Sequence, residues 1–230
     1  VYATGKPVVL LINAGRPLVF EWASDHVPAI LYTWWLGTEA GNSIADVLFG
    51  DYNPAGKLPM SFPRTEGQIP IYYNHYNTGR PSKNDEDKFY VSAYIDLQNS
   101  PKYPFGYGLS YTTFDLKNLR LSSGKMAIKD GSIEATVDIK NSGSYDGEEV
   151  VQLYIHDLVG SVVRPVKELK GFQKIFLKKG ETKTLTFVLT PDDLKLYNND
   201  TQLVNEAGEY EVFVGNSSAA SLKSKFTLVK

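Results

Sequence analysis

Two apolar runs and a helical pattern open the chain. Val8-Val9-Leu10-Leu11-Ile12 is unbroken by polar residues and stops at Asn13-Ala14-Gly15-Arg16-Pro17, which predicts a strand buried on both faces, as in a parallel sheet. Ala29-Ile30-Leu31-Tyr32-Thr33-Trp34 repeats the pattern and leads to Gly37. Thr38 is then placed to cap a helix whose apolar positions Ile44, Ala45, Val47 and Leu48 share one face before Gly50 stops it. Strand, connection, strand and helix is the wiring of an α/β unit. In open sheets of that kind ligands sit at the carboxyl ends of the strands, so site residues are expected after Asn13 and after Trp34.

From Asp51 to Pro104 the periodicity fades. Asn53-Pro54-Ala55-Gly56, Pro59, Pro63, Pro70 and Pro81 interrupt the chain too often for long elements. The tyrosines of this stretch (Tyr72, Tyr73, Tyr76, Tyr90, Tyr94) predict loops that pack rather than a disordered segment. Period-two alternation takes over after Thr113, in Leu119-Arg120-Leu121, Ile133 to Ile139, Val151 to Ile155, Leu185 to Leu189 and Tyr210 to Val214. Turn residues at Asp130-Gly131, Asn141-Ser142-Gly143, Lys179-Gly180 and Ala207-Gly208 separate these runs, as in an antiparallel sandwich of about seven strands. Tyr154, Phe187, Tyr210 and Phe213 follow the alternation and are expected in its core.

Composition sharpens the division. All three tryptophans and ten of the twelve prolines precede residue 111, which predicts two domains, 1–110 and 111–230. With 24 basic and 26 acidic residues the net charge is −2, too weak a field to hold nucleic acid or an anionic membrane, and a neutral partner fits better. Cysteine is absent, which removes disulfides, thiolate metal sites and a cysteine nucleophile. His26, His75 and His156 lack ligand spacing, so no metal is expected. The chain opens on Val1-Tyr2-Ala3 without a methionine, a signal peptide or a membrane span, which leads us to expect a piece of a longer polypeptide.

Several motifs carry a family resemblance. Trp34 to Arg64 (WWLGTEAGNSIADVLFGDYNPAGKLPMSFPR), Gly67 to Asn74, Asn77-Thr78-Gly79-Arg80-Pro81, Tyr103 to Thr112 (YPFGYGLSYT) and Arg164 to Phe172 (RPVKELKGF) follow one another in order over the whole chain. Together they resemble family 3 glycoside hydrolases, in particular periplasmic bacterial β-glucosidases. The resemblance implies the last portion of an α/β sandwich domain with a mostly parallel sheet, followed by an antiparallel fibronectin-III-like β-sandwich. It also implies a cofactor-free retaining hydrolase of β-linked glucosides or oligosaccharides, periplasmic or secreted. Its aspartate nucleophile would stand in a Ser-Asp-Trp-like motif on a separate N-terminal barrel, and no such tripeptide occurs here.

Retaining hydrolysis needs a second carboxyl group as acid/base. Glu86, ten residues before Asp96, agrees with one arrangement known in the family, although Ala93-Tyr94 stands where the family carries an arginine-tyrosine pair. The competing account of Asp85-Glu86-Asp87 is a solvated acidic loop. Trp34 and Trp35 can stack on a sugar ring or pack in the core. Arg80 can donate to sugar hydroxyls or pair with a surface acid. Glu39, at the predicted helix start, is expected to act as a cap or in a buried hydrogen bond. A rival reading of the whole chain is a free-standing carbohydrate-binding or structural module. A protein-interaction sandwich ranks last, because it leaves residues 34–64 without a purpose.

Overall fold

The computed structural model describes residues 1–230. In chain order its elements are β1 (Val9–Ile12), α1 (Glu21–His26), β2 (Ala29–Tyr32), α2 (Ala40–Phe49), β3 (Phe114–Leu121), β4 (Lys125–Ala127), β5 (Ile133–Asn141), β6 (Gly147–Asp157), β7 (Glu168–Leu177), β8 (Thr182–Leu189), β9 (Leu196–Tyr197), β10 (Leu203–Val204), β11 (Gly208–Gly215) and β12 (Leu222–Val229). Strands predominate and helices are few.

The opening α/β wiring is present. β1 and β2 pair in parallel, with Val9 opposite Ala29 and Ile12 opposite Tyr32. Two details differ from the sequence expectation. β1 is not buried on both faces: Val9 is 50% and Leu11 42% exposed, because the sheet has two strands here and nothing in the chain covers their side. Thr38 does not cap α2 either; Glu39 occupies the N-cap position without a side-chain cap bond, and its exposed carboxylate accepts from Asn42 Nδ2 at 2.6 Å, so it has no buried role. Gly50 ends the helix as expected, at φ 87°, with its N–H donated to the Val47 carbonyl.

The alternating segments form a three-stranded antiparallel sheet, β3-β5-β8, and a five-stranded sheet, β4-β12-β11-β6-β7. That makes eight strands rather than seven, and the short β4 lies parallel to β12, so the second sheet is not wholly antiparallel. The inward positions of both sheets meet in one buried cluster that includes Ile133, Val137, Ile139, Val151, Leu153, Ile155, Phe187, Tyr210, Val212 and Leu228. Each such aliphatic side chain contributes roughly 1.5–3 kcal/mol by leaving water. Phe187 and Tyr210 sit there as expected. Tyr154 and Phe213 do not: paired in register on β6 and β11, they are buried on the opposite face.

That opposite face is covered by the loops of the first half. Tyr73 stacks on Phe105 at 4.4 Å and meets Tyr154 edge-on at 5.8 Å. Gln152 Nε2 donates to the carbonyls of Gly106 (3.2 Å) and Asn216 (3.0 Å), while Tyr154 Oη donates to its Oε1. The 103–108 strap pairs back onto the first half through Phe62 N to Tyr103 O and Leu58 N to Tyr107 O, both 2.8 Å. Gly108 must lack a Cβ, which would collide with the Gly56 carbonyl. Lys57 Nζ closes the junction, donating to Gly108 O at 2.8 Å and pairing with Glu149 at 2.6 Å with side chains 10% and 5% exposed.

Asn141 reads in sequence as a turn residue. The structure buries it completely, and its amide joins Thr112, Tyr145 and Leu177.

Removing one partner of a buried ion pair strands the other charge. Lys57→Ala is therefore expected to lower the urea unfolding free energy by about 3 kcal/mol, whereas Lys57→Met combined with Glu149→Leu should recover most of the loss. Equal stability of Lys57→Ala and the parent sequence would show that the pair does not hold the junction.

Candidate functional site

The carboxyl ends of β1 and β2 build the first candidate site. Leaving β2, the backbone turns at Trp34 (φ 54°), which sends the two indoles in different directions. Trp34 packs edge-on against Tyr32 at 5.0 Å and Phe62 at 5.9 Å, over a cluster that includes Phe20 and Tyr103. Phe62 at its centre is 1% exposed, so Trp34 has a packing role whatever else it contacts. Trp35 is 75% exposed and lies against Gly15, on the loop that follows β1. A Cβ at Gly15 would fall within the indole. Tyr32 Oη donates to the Arg16 carbonyl at 2.5 Å, tying the two loops together. The mouth of the parallel pair thus presents one indole face to solvent, with the other seated on Gly15, where a Cβ would push the ring away.

The second candidate lies in the long loops. Gln68, 1% exposed, accepts from the Arg64 amide at 2.7 Å and donates to the Gln98 carbonyl at 2.9 Å. Asp85 accepts from the Ser100 amide (2.8 Å) and hydroxyl (2.6 Å). Burial works against its charge, but the Ser100 bonds, the Asn99 amide and the Arg64 charge together hold its carboxyl below the usual range. The acidic run is therefore not three equivalent solvated carboxylates. Asp85 turns inward, while Glu86 is exposed with its amide fixed by Asn84 Oδ1 at 2.9 Å. Arg80 is also exposed; its carbonyl accepts from Ser92 N at 2.7 Å, and its guanidinium has no acidic partner in the chain.

A groove of about 660 Å³ runs between these loops and the five-stranded sheet domain. Its lining includes Asp85 and Pro81 but none of Trp34, Trp35, Arg80 and Glu86, so the structure does not gather the four sequence-selected residues into one cavity. Tyr72, Tyr76, Asn77 and Lys167, which the sequence did not mark as site residues, do line it. The density of tyrosine, asparagine and serine over 72–100 was visible. That this stretch faces residues 165–167 and 218–219 was not.

Comparison with known proteins decides the family. Residues 1–111 match the Glycosyl hydrolase family 3 C-terminal domain, and residues 149–218 match the Fibronectin type III-like domain. The chain belongs to glycosyl hydrolase family 3. The periplasmic beta-glucosidase of Salmonella typhimurium is 51% identical over 227 residues, covering 99% of this chain and 30% of the relative. A beta-xylosidase of Formosa agariphila is 42% identical over 231 residues, covering 100% of this chain and 31% of the relative. The crystal structure of a beta-glucosidase from Listeria innocua in complex with laminaribiose superposes with a TM-score of 0.94 at 45% identity, over 100% of this chain and 32% of that one. The family 3 chain thus spans about three-tenths of the length of the relatives it matches.

Two outcomes follow from the site geometry. Gly15→Ala should displace the indole of Trp35, moving its Nε1–H resonance while those of Trp22 and Trp34 stay in place; an unmoved Trp35 signal would contradict the contact. Asp85 has a lowered folded pKa, so the stability it contributes is complete above its unfolded value and is lost as pH falls through the folded one. Exchange protection of the Ser100 amide should hold from neutral pH down to about 4 and fall below that, and Asp85→Asn should abolish this dependence.

Proposed function

We propose that this chain is part of a retaining β-glucosidase that removes terminal β-linked glucosyl residues from glucosides or oligosaccharides in the periplasm or outside the cell. The observation that carries the reading is the match, in family order and over nearly the whole chain, to a beta-glucosidase solved with laminaribiose. Exposure of Trp35 at the strand ends supports it, since an indole face suits the C–H side of a sugar ring. In this reading residues 1–110 are the last portion of the α/β sandwich domain and residues 111–230 the fibronectin-III-like β-sandwich. The open side of β1 and β2 is covered by earlier strands of the same domain, and the nucleophile stands on an N-terminal barrel outside this chain. No helix of the chain is long and apolar enough to cross a membrane.

Within the chain, Trp34 and Trp35 form the sugar-facing mouth, with Trp34 supporting and Trp35 stacking. Arg80, exposed and without an acidic partner, donates to substrate hydroxyls. Glu86 is the chain's acid/base candidate: its backbone is fixed while its carboxyl makes no bond within the chain. Both residues lie on loops, where catalytic and binding groups concentrate.

The test is kinetic, in the full-length parent enzyme. Arg80→Ala is expected to raise KM for an oligosaccharide roughly tenfold, the value of one lost charge-assisted hydrogen bond, with kcat little changed. Glu86→Ala is expected to slow hydrolysis of substrates with poor leaving groups by roughly 100-fold or more, and that of activated aryl glucosides far less. Unaltered rates on both substrate types would remove Glu86 from the mechanism and leave it a solvated loop residue.

A further inference from the structure

The groove along the seam of the two halves has the makings of a ligand site that the reaction does not require. Its volume, about 660 Å³, falls within the range of small-molecule sites. Its walls are fixed before any ligand arrives. On one side Val166 N donates to the His75 carbonyl at 2.9 Å and Leu169 N to Tyr73 Oη at 3.3 Å. On the other Tyr94 N donates to Asn99 Oδ1 at 2.9 Å, and Ser100 is held by Asp85.

The chemistry of the lining selects the ligand class. Asp85 spends its carboxylate on Ser100, and Lys167 spends its ammonium on the carbonyls of Ser218 (3.0 Å) and Ala220 (2.6 Å). Lys83, exposed, and Lys167, whose carbonyl partners hold the ammonium without neutralising it, stand against the single carboxylate of Asp85. The groups that remain are neutral: the phenols of Tyr72, Tyr76 and Tyr94, the amide of Asn77 and the hydroxyl of Thr78, whose side chains make no hydrogen bond within the chain. Tyr72 and Tyr76 are 63% and 60% exposed, an unusual outlay of aromatic surface beside a polar groove. Aromatic faces alternating with neutral donors and acceptors match a ligand that has C–H faces and many hydroxyls but no charge. An anionic ligand would find Lys83 alone free to meet it, Lys167 already donating to two carbonyls and the Asp85 carboxylate opposing it, and an apolar one would strand the amides and hydroxyls.

We propose that this groove binds a neutral oligosaccharide, on residues separate from the Trp34–Trp35 mouth. The choice of sugar as ligand rests on the β-glucosidase reading; the exclusion of charged and apolar ligands rests on the lining alone.

The test is titration of the full chain with laminaritriose and cellotriose, followed by amide chemical shifts. Binding should move the resonances of Asn77, Thr78 and Asn99. Tyr76→Ala and Asn77→Ala should each weaken it roughly tenfold, and Trp35→Ala should not abolish it. Tyr76 and Asn77 are exposed, so unchanged thermal unfolding of both variants will show that the fold is intact. Absence of shifts at millimolar sugar, or shifts confined to Gly15 and the tryptophans, would overturn the proposal. Hydrolysis of an aryl β-glucoside by the parent enzyme carrying Tyr76→Ala separates the two readings: retained turnover leaves the functional reading standing even if the groove is empty. Sugar binding in the groove with no turnover by the unaltered parent would do the reverse.

Discussion

The structure depends on one constraint: the polar groups buried where the loops of the first half meet the outer face of the five-stranded sheet must all find partners. Gln152 sits in the middle of a strand at 3% exposure, where an unpaired amide would cost about 1–3 kcal/mol. It is acceptable only because the Gly106 and Asn216 carbonyls and the Tyr154 hydroxyl meet it. Lys57 and Glu149 impose the same condition more severely, since both are charged. These bonds fix the 103–108 strap, the strap fixes the loops, and the loops carry Arg80, Glu86 and the groove. A displacement of the sheet domain would therefore reach Arg80, Glu86 and the groove, and through Tyr103 and Phe62 the packing beneath Trp34 as well.

This explains what the sequence revealed. The α/β wiring was legible because Val9 to Ile12 and Ala29 to Tyr32 are continuous apolar runs that end at Gly and Asn signals. The strands after Thr113 were legible because one face of each is buried in a shared core, which enforces alternation. The partners of the opposite face were not. Tyr154 and Phe213 obey the same alternation as core residues but point the other way, and a period of two does not say which face meets which neighbour. Asn141 looked like a turn residue, and it does bond its own turn at Gly143 and Tyr145, but the same amide chemistry also reaches the distant Thr112 and Leu177, which no local pattern announces.

Site residues divide along the same line. Trp34 and Trp35 could be placed at the strand ends from sequence, because the parallel pair dictates where its loops emerge. Their different roles depend on a positive φ at Trp34 and on Gly15, both set by tertiary structure. Arg80 and Glu86 came from family resemblance rather than spacing. The inward turn of Asp85, adjacent in sequence and opposite in role, needed Ser100, fifteen residues away.

In the function proposed for it, the family 3 chain is scaffold and sugar contact for chemistry whose nucleophile lies elsewhere. The most direct measurement is hydrolysis of p-nitrophenyl β-glucoside by the purified 230-residue chain alone. No turnover above the uncatalysed rate is expected, because a retaining mechanism without its nucleophile cannot form the glycosyl intermediate. Sustained turnover by this chain would contradict it and place both catalytic carboxyl groups within these residues.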